Sequence, residues 1–251
     1  MSQGGFAVFG GSGGLGEVVV RQLAQRGPVQ IGYLRNQAKA EALCSAIKAG
    51  GGRAQTAAVD IRDPASVQQF IEHASSTLGP LAGVVSVTGP AIPLRPLAEV
   101  GLEDFRRILE IDVLGSFNIL KAVVPVLKAG GGGAIVMFVT TAVLRMLEND
   151  GMSSTPKMGV AGLVRLMARE AGPDNVRVNA IAPGVIDAGI VHSSFEVDEV
   201  AKGVIESCLA QTPMRRMGRP EEIAATVDFL MSPGAAYISG QVIAVDGGYS
   251  A

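Results

Sequence analysis

Short apolar runs alternate along this 251-residue chain with longer segments whose apolar positions recur at helical spacing. The runs at 6–10, 29–34, 54–60, 81–89, 133–139, 176–182 and 241–247 predict strands. The segments near 14–26, 37–49, 64–78, 102–128, 156–171, 198–211 and 220–231 predict helices. Most of the strand runs are apolar at consecutive positions, as strands covered on both faces require. Strands alternating with helices in this way predict the α/β class, a doubly wound parallel sheet of about seven strands. Two helix starts are explicit. Asp63 is placed to cap a helix that Pro64 opens, and Pro220 opens another with Glu221 and Glu222 in its first turn. No linker or repeat interrupts the pattern, which implies one domain over 1–251.

Composition narrows the function classes. Hydrophobic residues make up 48% and charged residues 18%, enough for a large core and against disorder. The net charge of −2, with no basic run, gives no footprint for nucleic acid. No apolar span reaches membrane length, and the N-terminus lacks a secretory pattern, so a cytoplasmic protein without a membrane partner is expected. Cys44 and Cys208 are isolated, which reads as two thiols and no metal site.

The stretch VFGGSGGLG (8–16) joins the first strand to the first helix. Gly10, Gly14 and Gly16 let the backbone turn tightly, and the helix N-terminus then offers free N–H groups to a pyrophosphate. This loop, RVNAIAPGVI (177–186) and GRPEEIAATVDFLMSPGAAYISGQVIAVDGG (218–248) together resemble the short-chain dehydrogenase/reductase family, in the manner of the 3-oxoacyl-[acyl-carrier-protein] reductases. The resemblance covers essentially the whole chain and implies a Rossmann-type fold. It differs at the first loop position, where Phe9 stands at the family's threonine.

The resemblance also implies the cofactor residues: Gly10, Ser12, Gly14, Leu15 and Gly16 for the phosphates, Asp60 and Ile61 at the adenine, and Pro183, Gly184 and Ile186 against the nicotinamide. Ser86 to Gly89 fill the family's Asn-Asn-Ala-Gly slot, of which only the glycine is kept. Ala188 replaces the usual threonine that bonds the carboxamide. An acid at the end of the second strand would favour a free ribose hydroxyl. Arg35 and Asn36 stand there instead, and the Arg35 fork suits a 2′-phosphate, which favours NADP(H) over NAD(H).

Family members reduce a carbonyl with a tyrosine as proton donor, a lysine four residues later, a serine that orients the substrate oxygen and an asparagine on a long helix. Lys157 matches the lysine and also implies a hold on the cofactor ribose. Ser153 then occupies the tyrosine slot, Thr140, with Thr141 beside it, the serine slot, and Asp112 the asparagine slot. Thr140 retains a hydroxyl for a substrate oxygen. Asp112 brings a carboxylate toward Lys157. Ser153 is a far weaker acid than a phenol and could donate only through an intervening water, or not at all. None of Tyr33, Tyr237 and Tyr249 lies near this stretch in sequence. Glu148, Asp150 and His192 are substitute acids, although each also reads as a solvated loop residue, and Arg145 is a candidate for an anionic substrate.

Three functions fit this pattern. The first is an NADP(H)-dependent oxidoreductase for a small carbonyl or alcohol, with a proton donor other than tyrosine. The second is a nucleotide-binding pseudoenzyme, and the third a non-redox isomerase, dehydratase or cyclase using the same pocket. The resemblance implies a homo-oligomer, tetramer or dimer, built on the helices at 102–128 and 156–171, with a substrate lid about 188–215.

Overall fold

The computed structural model describes residues 4–90, 92, 94–188 and 199–251. Its centre is one parallel sheet in the order β3-β2-β1-β4-β5-β6-β7. The strands are β1 (Gly5–Phe9), β2 (Val29–Tyr33), β3 (Ala54–Ala58), β4 (Leu81–Ser86), β5 (Gly133–Phe138), β6 (Val176–Pro183) and β7 (Val242–Val245). Helices α1 (Gly14–Leu23), α2 (Gln37–Ala49), α3 (Pro64–Leu78), α4 (Leu102–Leu109), α5 (Gly115–Ala129), α6 (Gly151–Ala171), α7 (Glu199–Gln211) and α8 (Pro220–Leu230) connect them.

The period-two geometry of a strand divides the core in two. Phe6 and Val8 of β1 pack with α1, α2 and α8 on one face. Ala7 and Phe9 pack with α3, α5 and α6 on the other. Because both faces are covered, both sets of side chains are apolar, which explains the unbroken hydrophobic runs. The Asp63 carboxylate accepts from the Ala65 amide at 2.9 Å, capping α3 as its sequence implies.

The strand order reverses between β1 and β4, and a crevice opens there beyond the carboxyl ends of the strands. Gly10 and Val87 face each other across it. At Gly10, φ is +72°, and a Cβ would come within 2.7 Å of the Val87 carbonyl oxygen. Glycine is therefore required here on two counts.

Two helices differ from their sequence reading, and both differences shape the crevice. The segment expected to be one helix over 102–128 is helical throughout, but it contains a π-helical turn, Glu110–Leu114, between α4 and α5. That wider turn carries Asp112, which is 4% exposed. The helix expected from 156 begins at Gly151 instead. Pro156 suggested a start, since proline fits the first turn, but the Asp150 carbonyl already accepts the Ser153 and Ser154 amides, at 3.0 and 2.9 Å. Met152 and Ser154 are buried, and packing holds the extra turn despite the amide that Pro156 lacks. Ser153 and Lys157 thus lie one turn apart on one helix.

Candidate active site

A cavity of about 430 Å³ fills the crevice. Its floor is the glycine loop, Gly13 to Gly16; one wall is Val87 to Pro90 after β4, another Pro183 to Ile186 after β6. The first amides of α1 have no partner within their helix, and the residues that carry them, Gly14 to Gly16, line this space. A Cβ on Gly16 would run into the Gly10 carbonyl oxygen, so the third glycine brings loop and helix together. Gly16→Ala should therefore destabilise the protein by about 1–3 kcal/mol, seen as a lower urea midpoint with unchanged slope.

Lys157 reaches the cavity from α6. Its ammonium donates to Asp112 Oδ1 at 3.0 Å and to the Thr88 carbonyl at 3.2 Å. The pair is buried, with the lysine side chain 11% and the aspartate 4% exposed. A Cβ on Gly89 would stand 3.8 Å from the same nitrogen, so glycine leaves the approach to Lys157 clear. Two donor–acceptor contacts and the π turn fix the ammonium in one place.

Thr140, just after β5, also lines the cavity, and its hydroxyl accepts from the Ala142 amide at 3.3 Å. Thr141 lines it too, and its hydroxyl donates to Asp246 Oδ2 at 2.6 Å. Burial would raise the Asp246 carboxyl. Bonds from Thr141, Ser250 and Gly248 outweigh it and hold the group below its ordinary range. This network pins the turn after β7 against the turn after β5.

Ser153 lines the cavity half-buried, with Asp150 beside it. Asp150 is 6% exposed, which excludes a solvated loop role. Burial pushes its carboxyl up to about 7, against the opposing pull of the Ser153 hydroxyl. Glu148 is exposed and is not among the cavity residues. His192 lies outside the described residues. Among the described residues, no three His, Cys, Asp or Glu side chains are grouped to hold a metal ion.

The remaining wall comes from sequence-distant parts. Val204, Ile205 and Cys208 of α7 line it, as does Tyr249 after β7. Tyr249 is 4% exposed. Burial raises both its phenol and the Cys208 thiol, which contact each other. Arg145 stacks over the Tyr249 ring, 4.7 Å from its centroid. Its guanidinium donates to the Tyr249 carbonyl at 2.8 Å and to Gln211 Oε1 at 2.7 Å. Arg145 is thereby a tie between three segments, not an anion site. Sequence reading placed the tyrosines away from the chemistry. The available signal was topological: all strands of a parallel sheet end at one edge, so the residues after β7 arrive beside those after β5.

Of the residues expected at a site, the cavity brings together Gly14, Leu15, Gly16, Gly89, Asp112, Thr140, Ser153, Lys157, Pro183, Gly184 and Ile186. Gly10, Ser12, Arg35, Asn36, Asp60, Ile61 and Ser86 do not line it. Ser12 is buried in the loop, and Ser86 is buried with its hydroxyl 2.9 Å from that of Thr88. Ile61 is buried against Gly115, where a Cβ would stand 2.7 Å from its Cδ1. Asp60 is forked by the Arg62 guanidinium, with contacts of 3.0 and 2.6 Å, which holds its carboxyl below the ordinary range; Arg35 adds a weaker pull. Arg35 and Asn36 are exposed at the end of β2.

A family model described as enoyl-(acyl carrier protein) reductase matches residues 10–250. Among curated relatives, cis-4-hydroxycyclohexanecarboxylate dehydrogenase of Sinomonas cyclohexanicum is 34% identical over 245 residues, covering 97% of this chain and 95% of the relative. The 7α-hydroxysteroid dehydrogenase of Escherichia coli K12 is 31% identical over 241 residues, covering 96% and 92%. Among solved structures, levodione reductase superposes with a TM-score of 0.91 at 28% identity, covering 100% of this chain and 98% of that one. A 7α-hydroxysteroid dehydrogenase complexed with NADH and 7-oxo glycochenodeoxycholic acid gives 0.86 at 30%, covering 98% and 93%.

Proposed function

Because this chain belongs to the short-chain dehydrogenase/reductase family, we propose that it is an NADP(H)-dependent oxidoreductase for a small, largely apolar carbonyl or alcohol, with a proton donor other than tyrosine. The observation that carries this reading is the convergence of anchored Lys157, Thr140 and Ser153 on one cavity with the glycine loop.

The residues fit a nicotinamide dinucleotide. The first amides of α1 suit its pyrophosphate. Lys157, fixed by Asp112, suits the hydroxyls of the nicotinamide ribose, and the Pro183–Ile186 wall suits the flat ring. When bound, the nicotinamide supplies or accepts a hydride at the substrate carbon. Thr140 orients the substrate oxygen. Ser153 holds the proton-transfer position, at the slot where the family carries its tyrosine. A substrate with an alicyclic ring agrees with the apolar lining from Leu94, Leu147, Val204 and Ile205, and with the cyclohexane and steroid substrates in the relatives' names.

Arg35 supports NADP(H). Asp60, a carboxylate within reach of the Arg35 charge, is paired with Arg62, which leaves Arg35 available to a 2′-phosphate. Arg35→Glu should weaken NADPH binding by about tenfold or more and change NADH binding little, since a charged hydrogen bond is worth about 1.5–3 kcal/mol. Fluorescence titration with both nucleotides checks this.

Leu114, Phe117, Met158 and Leu166 are large apolar residues exposed on the π turn, α5 and α6. They support a homo-oligomer, dimer or tetramer. The test of function is to titrate NADPH and NADH, then follow the nicotinamide absorbance against alicyclic ketones, steroid ketones and 3-oxoacyl thioesters. Oxidation of NADPH by an alicyclic ketone is expected. Tight binding without oxidation across the panel would leave a nucleotide-binding protein without turnover.

A further inference from the structure

We propose that Asp150 and Ser153 form a two-member proton relay, in which Ser153 protonates the substrate oxygen and the Asp150 carboxyl reprotonates Ser153. This rests on the oxidoreductase reading above and adds to it the group that stands in for the phenol.

The placement of Asp150 is the ground for it. Asp150 precedes the first residue of α6, where an aspartate ordinarily caps the helix with its side chain. Here the side chain makes no cap bond. The Asp150 carbonyl accepts the Ser154 amide as the first bond of the helix, and it also takes the Ser153 amide that a capping side chain would accept, together with Ser154 Oγ at 2.9 Å. The carboxyl is not used as a cap; Asp150 and Ser153 line the same cavity, and the Ser153 hydroxyl is the carboxyl's side-chain partner.

Its surroundings keep it uncompensated. On α7 it faces the Cys208 thiol, and after β7 the Tyr249 phenol. Arg145, on the segment before α6, is bound to the Tyr249 carbonyl and Gln211. Lys157, on the same helix, is paired with Asp112. Among the described residues no cation forms an ion pair with Asp150. A carboxyl so placed holds its proton to about pH 7. A serine hydroxyl alone is too weak an acid to serve; with a carboxyl behind it, the serine returns to neutrality within the same event.

The step balances as follows in reduction. With a hydride supplied to the carbonyl carbon by a bound nicotinamide, the carbonyl π pair would move to oxygen. The Ser153 O–H bond breaks as that oxygen takes the proton. The Asp150 O–H bond breaks as Ser153 Oγ takes its proton, leaving a carboxylate that solvent reprotonates. Oxidation of the alcohol runs the same transfers backward.

Three proteins test this: wild type, Asp150→Asn and Ser153→Ala, each checked for folding by circular dichroism and for NADPH binding. Infrared difference spectra between about pH 5 and pH 9, without nucleotide, should show a protonated carboxyl band lost near pH 7 in the wild type and in Ser153→Ala, and missing from Asp150→Asn. Ketone reduction by the wild type should fall about tenfold per pH unit above pH 7, since the proton must be present. Asp150→Asn should be slower by about a hundredfold at pH 6 and lose that limb. Ser153→Ala should lose reduction to a similar degree while keeping the carboxyl band, which separates relay from folding. An Asp150 ionised throughout this range overturns the relay. So does an Asp150→Asn variant with the wild-type rate and pH profile, and that result leaves the oxidoreductase reading intact. Nucleotide binding with no reduction by the wild type overturns both.

Discussion

Lys157→Met is expected to destabilise the protein by about 3 kcal/mol or more and to abolish tight nucleotide binding. The stability loss comes from the partner left behind. Asp112 is 4% exposed, and the Lys157 ammonium at 3.0 Å is its ion-pair partner. Removing one member of a buried pair strands the other charge, which costs more than the pair itself contributes. Asp112→Asn should cost less, because the ammonium keeps the Thr88 carbonyl and some access to the cavity. The double variant Asp112→Asn/Lys157→Met should recover much of the loss of Lys157→Met, since no charge then remains buried. Urea unfolding of the four proteins closes this cycle. Additive losses would show that the two groups do not act as a pair.

Stability should also fall with rising pH through the range where Asp150 titrates, and Asp150→Asn should remove that fall. The folded pKa, about 7, lies above the ordinary 3.8. Below about pH 4 both states hold the proton and the burial has no pH-linked cost. Between there and pH 7 the unfolded chain releases the proton and the folded one keeps it, so the unfolded state gains. Above pH 7 the folded carboxyl ionises as well and the loss levels off. At about 1.4 kcal/mol per pH unit the whole span amounts to about 4 kcal/mol. Unfolding of wild type and Asp150→Asn at about pH 5 and pH 8 measures it. The variant should be the more stable of the two at pH 8. An equal pH slope in both would place the titrating group elsewhere.

Local chemistry was the most legible part of the sequence. The glycine loop, the Asp63 cap and the consecutive apolar runs each have a short-range cause, so the α/β sheet and its ligand edge could be read directly. The pairing of Lys157 with Asp112 was also readable, because a match to known motifs aligned two distant helices. Helix interruptions were not readable. Nothing in EIDVL announces a π turn, which in the fold packs against α6. Pro156 pointed to the wrong helix start because burial of Met152 and Ser154 outweighs one missing amide. Asp150 and Tyr249 were misjudged for a related reason. A loop aspartate and a tyrosine near the end of the chain look exposed in one dimension, and only the meeting of the β5, β6 and β7 ends buries them.

The tie between Arg145, Gln211 and Tyr249 has an optical consequence. The chain contains no tryptophan and only three tyrosines. Tyr237 is fully exposed, and Tyr33, at the carboxyl end of β2, does not line the cavity. Tyr249 is therefore a buried chromophore at the wall of the cavity, clamped under a guanidinium that also holds α7. Movement of α7 away from the wall breaks the Gln211 bond and changes the solvation of that phenol. With Tyr33 and Tyr237 replaced by phenylalanine, the near-ultraviolet absorption of the whole protein would become a readout of one wall of one cavity, with no label attached.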